Sequence, residues 1–107
     1  MTIAPAYRYR AELNRMIDGD TYILDVDLGF RVYAALTIRL HGYSCPELRE
    51  PNGPEAMLFA QAALMVSDSI VVESYRDQQS FARWVADVYV DGEHLGEQLW
   101  NAGLATK

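Results

Sequence analysis

A chain of 107 residues, 50% of them hydrophobic, is long enough to bury one self-sufficient core and too short for a second, so residues 1–107 are expected to form a single domain. Fifteen acidic against nine basic residues give a net charge of −6, which excludes the broadly basic surface that holds long nucleic-acid tracts by their phosphates. The single cysteine, Cys45, excludes an intramolecular disulfide framework and fits a reducing, cytoplasmic setting, and neither a basic-then-apolar leader nor an apolar run of about 18 residues marks secretion or a membrane.

Residues 7–17 mix aromatic, aliphatic and arginine side chains without a helical stripe and run into Asp18-Gly19-Asp20, whose Asp-Gly pair is a hairpin-turn signal. Strand, turn, strand is the reading. Thr21–Asp27 then alternates, with Tyr22, Leu24 and Val26 directed at the core, before Leu28-Gly29 turns the chain back. Residues 30–40 are rich in strand formers, with Leu36, Ile38 and Leu40 on one face and Thr37, Arg39 and His41 on the other. Gly42, Pro46 and Pro51 make residues 42–52 a loop that presents Glu47 and the Arg49-Glu50 pair.

A helix is predicted from about Asn52, where Asn52 or Gly53 caps and Pro54 takes the first position, to about Ser67. Ala56, Phe59, Ala60, Ala63 and Leu64 make its core stripe. Met57, Leu58, Ala62 and Met65 leave its other sides apolar, so a further element or a second copy of the chain is expected to cover it, the latter giving a homo-oligomer through this helix. Residues 70–76 and 83–90 form a fourth and a fifth strand joined by a polar connection. Asp91-Gly92 repeats the turn signal, and Leu95, Leu99 and Trp100 mark a short helix that Gly103 closes.

Taken singly, the residues with chemistry have ordinary readings. Asp18 and Asp20 are hard oxygen donors suited to a divalent cation, but an Asp-Gly-Asp hairpin is also just a turn. Arg39 and Arg83, at strand ends, offer the planar fork that grips phosphate oxygens in pairs, or are rim arginines. Glu47, in a loop beside Pro46, is a general base on water or a solvated acid. Cys45 has no histidine partner motif and reads as a small packed residue, and His41 and His94, half a chain apart, match no zinc spacing. Tyr75, Phe81, Trp84 and Tyr89 read as packing aromatics rather than base-stacking platforms.

Their order is more specific than their identities. Asp-Gly-Asp-Thr in a first hairpin, Arg39 near the end of the third strand, Pro46-Glu47 seven and eight residues on, a Gly-Pro-Glu-Ala helix start, Arg83 opening the fifth strand and Asn101-Ala102-Gly103-Leu104-Ala105 at the last helix end together resemble the staphylococcal nuclease (thermonuclease) family over nearly the whole chain. The resemblance implies a mainly β, α+β fold: a five-stranded OB-fold barrel with two helices. It implies phosphodiester hydrolysis of single-stranded or flexible DNA or RNA, with Arg39 and Arg83 as phosphate clamps and Glu47 as base. It also implies a divalent cation, calcium first and magnesium or manganese as alternatives, held by Asp20 and the Cys45 carbonyl, with Ser44 where the family carries its second metal-binding aspartate. Ser44 removes one carboxylate, so weakened or shifted metal binding is expected, with Asp18 or Glu47 as the acid nearest to compensate. Phe81 stands in a substrate-contacting segment whose basic and tyrosine residues are replaced here. An alternative that Ser44 and the acidity favour is a catalytically impaired nuclease-fold module that binds nucleic acid or protein.

Overall fold

The computed structural model describes the backbone of residues 2–80 and 83–107 and the side chains of all of these except 76–80. Phe81, the expected substrate contact, lies outside the described residues.

Strand β1 (Arg8–Asp18) turns at Gly19-Asp20 into β2 (Thr21–Asp27), and β2 pairs along its whole length with β3 (Tyr33–Leu40), all antiparallel. Helix α1 (Gly53–Val66) follows the loop, then β4 (Ile70–Ser80) and β5 (Arg83–Val90) form a second hairpin. β4 pairs with β1, and β5 pairs in parallel with β3 through Ile38↔Trp84, Arg39↔Val85 and Leu40↔Ala86, which closes the sheet. The result is a closed five-stranded barrel of the OB type with two helices; a two-residue β6 (Glu93–His94) only leads into α2 (Leu95–Asn101). Among the described residues no helix is long and apolar enough to cross a membrane.

The period-2 pattern places the core as expected. Tyr22, Leu24 and Val26 of β2, Ile38 and Leu40 of β3, and Ala86, Val88 and Val90 of β5 point inward and are buried. Ala60 and Leu64 of α1 and Leu95 and Leu99 of α2 join the same cluster. The outer face therefore belongs to the alternate residues: Thr37 and Arg39 on β3, and Arg83, Val85, Asp87 and Tyr89 on β5.

Four local expectations need correction. The third strand starts at Tyr33 rather than residue 30, because Gly29, Phe30 and Arg31 all take positive φ and form the turn, leaving Phe30 fully exposed. The polar residues 77–80 continue β4 instead of leaving it, since Gln79 and Ser80 pair with Trp84 and Arg83 across a register shift. Asn52 occupies the N-cap position of α1 in a left-handed conformation, φ 67°, and makes no side-chain cap. Phe59 is exposed, because the buried ridge of α1 is the narrow i, i+4 row Ala56, Ala60, Leu64; Leu58, Met65 and Val66 also face outward.

Candidate active site

The β1–β2 turn and the loop after β3 meet at Asp20. Gly19 permits the meeting: a Cβ there would lie 2.8 Å from the Cβ of Ala56 and 2.9 Å from that of Cys45, so α1 and the loop press directly on the turn. Tyr22, buried one turn on, donates its hydroxyl to the Gly19 carbonyl at 2.6 Å. Asp20 is buried but not orphaned. Its Oδ1 accepts from Thr21 Oγ1 at 3.0 Å, and its Oδ2 accepts from the Cys45 amide at 2.8 Å with Arg39 Nη2 at 3.6 Å.

Arg39 is the hub that holds the loop to the barrel. Its Nη1 donates to the carbonyls of Leu40 at 2.6 Å and Tyr43 at 2.5 Å, and its Nη2 donates to Ser44 Oγ at 2.8 Å. Only 20% of its side chain and 9% of that of Asp20 remain exposed, so the pair is largely withdrawn from water. Ser44 is fixed from the other side by reciprocal amide–carbonyl bonds to Thr106, each 2.8 Å, and the Tyr43 ring sits so close over Gly96 that a Cβ there would come within 2.5 Å of Cδ2. The end of the chain and α2 thus help to set the position of the Arg39 partners.

Electrostatics single out Asp18. Burial first, and then the Asp20 carboxyl, raise its pKa from 3.8 to about 6, while Asp18 Oδ1 accepts from the Asp20 amide at 3.1 Å. Two carboxyl groups thus crowd one another at the tip of the hairpin. The same surroundings, burial ahead of Asp20 and Asp18, push the Cys45 thiol up to about 12, which keeps it neutral and agrees with the packed rather than the nucleophilic reading.

The remaining candidates are placed less tightly. Glu47 is exposed on the loop, its carboxylate 3.7 Å from Arg49 Nε, while its carbonyl packs against the start of α1 and accepts from the Glu50 amide at 2.9 Å. Arg83 is half-buried at the start of β5, two residues before Val85, the residue that pairs with Arg39. Of the expected metal ligands, Asp20, Ser44 and Cys45 converge in one hydrogen-bonded cluster, in which Ser44 Oγ accepts from Arg39 and the Cys45 amide donates to Asp20. Among the described residues no group of three or more His, Cys, Asp or Glu is placed to hold a metal ion. Asp18 is the residue whose weight the sequence understated; the signal for it was the first acid of the Asp-Gly-Asp turn.

The family model for staphylococcal nuclease homologues matches residues 37–107, about two thirds of the chain. The matched stretch includes Arg39, Ser44, Cys45, Glu47 and Arg83, whereas Asp18 and Asp20 lie just upstream and are joined to it by the contacts described above. With the closed barrel and the order of the arginines along it, this match places the chain in the staphylococcal nuclease homologue family.

Proposed function

We propose that the protein is a divalent-cation-dependent phosphodiesterase acting on single-stranded or flexible DNA or RNA. The observation that carries this reading is the crowding of Asp18 and Asp20 at the tip of the first hairpin, with the Arg39 guanidinium 3.6 Å from Asp20 Oδ2. Burial, and after it the neighbouring Asp20 carboxyl, raise the Asp18 pKa, a condition that a cation would relieve, and the hard oxygens of the two acids suit calcium, magnesium or manganese. Asp18 and Asp20 are the residues that would hold such an ion; Ser44, already bonded to Arg39, adds nothing to them. A cation bound there would supply neutralisation of charge on a phosphoryl oxygen.

The chain's own groups do the rest. Arg39 and Arg83, on the outer face of adjacent strands, bind phosphate oxygens and offset the charge that grows on them in the transition state. Glu47 stands in solvent on the loop that Asp20 anchors through Cys45, where it takes a proton from water as the water oxygen bonds to phosphorus and the bond to the leaving oxygen breaks.

A second reading, a nuclease-fold binding or interaction module with impaired catalysis, is favoured by the engagement of Ser44 with Arg39 and Thr106 in the place of a metal-binding carboxylate. Cleavage of single-stranded DNA in calcium, magnesium or manganese, by the parent and by Ser44→Asp, separates the two. The enzyme reading predicts measurable cleavage by the parent and about tenfold more by Ser44→Asp at low metal concentration, as one added carboxylate strengthens cation binding. Activity confined to Ser44→Asp establishes the second reading, and an inactive pair sinks the first.

A further inference from the structure

The outer face of the barrel continues past Arg39 into a cluster of rings that the phosphodiesterase reading does not use. Arg39 and His41 are two residues apart, and the His41 amide donates to the Ala86 carbonyl at 2.9 Å, the bond that completes the last β3–β5 pair, Leu40↔Ala86. The turn that starts at His41 brings its ring to Asp87, the residue after Ala86. Asp87 is outward-facing, yet it is only 7% exposed, because side chains from three directions cover it. Tyr75 Oη donates to its Oδ2, His94 Nε2 lies 2.9 Å from its Oδ1, and His41 Nδ1 lies 3.8 Å from the same oxygen. The His94 tautomer is fixed by its other nitrogen: Nδ1 accepts from the Glu97 amide at the start of α2, so Nε2 carries the hydrogen and donates to Asp87.

The carboxylate thereby holds its rings in set orientations. His41 packs on Tyr75 with centroids 4.3 Å apart and a 34° tilt, Tyr89 meets His94 edge-on at 5.3 Å, and Tyr43 lies 5.5 Å from His94. Lys107 Nζ sits over Tyr43 at 5.7 Å and over Trp100 at 5.0 Å. Of these rings Tyr43 also packs against the hydrophobic core, whereas His41 and Tyr75 meet on the opposite side of β5 from Ala86 and Val88. After packing on Tyr75, His41 still leaves 43% of its side chain to solvent. Ring faces at the surface, pre-organised by a buried acid and bordered by Arg39 on one side and Lys107 on the other, have the makings of a surface that stacks bases and steers phosphates.

We infer that the His41–Tyr75 ring pair, held by Asp87, is a stacking platform for an unpaired nucleobase next to the phosphate bound at Arg39. The inference rests on the nuclease reading and narrows its substrate to single-stranded nucleic acid, because a base must leave its duplex to offer a free face to a ring. His41 acts here as a positioning and affinity residue and has no part in the bond-breaking step.

The test is binding of labelled oligothymidylate, and of an abasic strand of equal length and charge, to the full chain in calcium with Glu47→Gln blocking turnover. In that background His41→Ala is expected to weaken oligothymidylate binding about tenfold and leave the abasic strand within about twofold. His41→Phe, which keeps a ring but loses the imidazole, is expected to stay near the parent on both strands. Equal losses on the two strands, no loss on either, or a His41→Phe as weak as His41→Ala overturns the platform. A background protein that binds both strands equally well, with binding to both lost on Arg39→Ala, overturns the platform while leaving the phosphate reading in place; failure to bind either strand overturns both.

Discussion

Gly53→Ala is expected to lower the melting temperature by roughly 5–15 °C and to disturb the loop that carries Glu47. A Cβ at this position would lie 1.9 Å from the Glu47 carbonyl oxygen, 2.7 Å from its carbon and 2.9 Å from Leu48 Cα, so the obstacle is backbone rather than the end of a flexible side chain. Two effects oppose each other. Alanine favours a helix by about 1 kcal/mol over glycine, and less at the first helical residue, whereas overpacking against a fixed neighbour typically costs about 1–3 kcal/mol. Here the contact is too short for small adjustments, so the clash wins, and each kcal/mol in a domain of this size is worth about 4–8 °C. The movement is not confined to α1. The same loop donates the Cys45 amide to Asp20 and the Glu47 amide to Glu50, so the variant is also expected to lose phosphodiesterase activity out of proportion to the fraction unfolded. Thermal melting checks the first expectation and cleavage well below the melting point the second; an unchanged or raised melting temperature contradicts the packing described for this helix start.

Arg39→Ala is the second large effect, about 3 kcal/mol of stability and essentially all activity. The variant loses the donors to the Leu40 and Tyr43 carbonyls and to Ser44, and leaves the Asp20 carboxylate in its largely buried place without the guanidinium. Removing one partner of a buried pair typically costs about 3–5 kcal/mol; the partial exposure of Arg39 puts the expectation at the lower end. Arg39→Lys keeps a charge near Asp20 but cannot span both carbonyls and the hydroxyl with one ammonium, so it should fall between the parent and Arg39→Ala. Urea unfolding of the three proteins measures this order. A loss below about 1 kcal/mol for Arg39→Ala would return Arg39 to the rank of an ordinary rim arginine.

The parts of this fold that the sequence displays are those set by local pattern. The alternation in β2 needs only neighbours, and Tyr22, Leu24 and Val26 are buried as the pattern requires. The length of the third strand misleads because Phe30 and Val32 are strand formers flanking Arg31, while the left-handed turn that Phe30 and Arg31 adopt after Gly29 is a property of the whole hairpin. In α1 the apolar residues run all the way round, so composition cannot choose a buried face, and Phe59, apolar and next to Ala60, stays exposed while the Ala56–Ala60–Leu64 row does the packing.

The candidate site divides in the same way. Arg39, Glu47 and Arg83 were legible as motif positions. The weight on Asp18 was not, because its raised pKa comes from burial and from the Asp20 carboxyl, both created by the docking of α1 and the Cys45 loop on the turn. The engagement of Ser44 was equally hidden: it depends on the bridge to Thr106, 62 residues further along the chain. Asp87 looks in sequence like a lone acid in an apolar strand. Tyr75, His94 and His41 reach it only through the β4–β5 register, the cap of α2 and the parallel closure of the barrel.

The central claim is that this barrel hydrolyses phosphodiesters with Glu47 as the base, and the most direct measurement is cleavage of single-stranded DNA by the parent and by Glu47→Gln, in calcium and again after chelation. The substitution changes an exposed side chain, so the melting temperature should not move by more than a degree or two. The expected result is cleavage by the parent that chelation abolishes and that Glu47→Gln lowers by about a hundredfold or more, within the range that a positioned base contributes. Equal rates for the two proteins, or cleavage that survives chelation unchanged, would contradict the account.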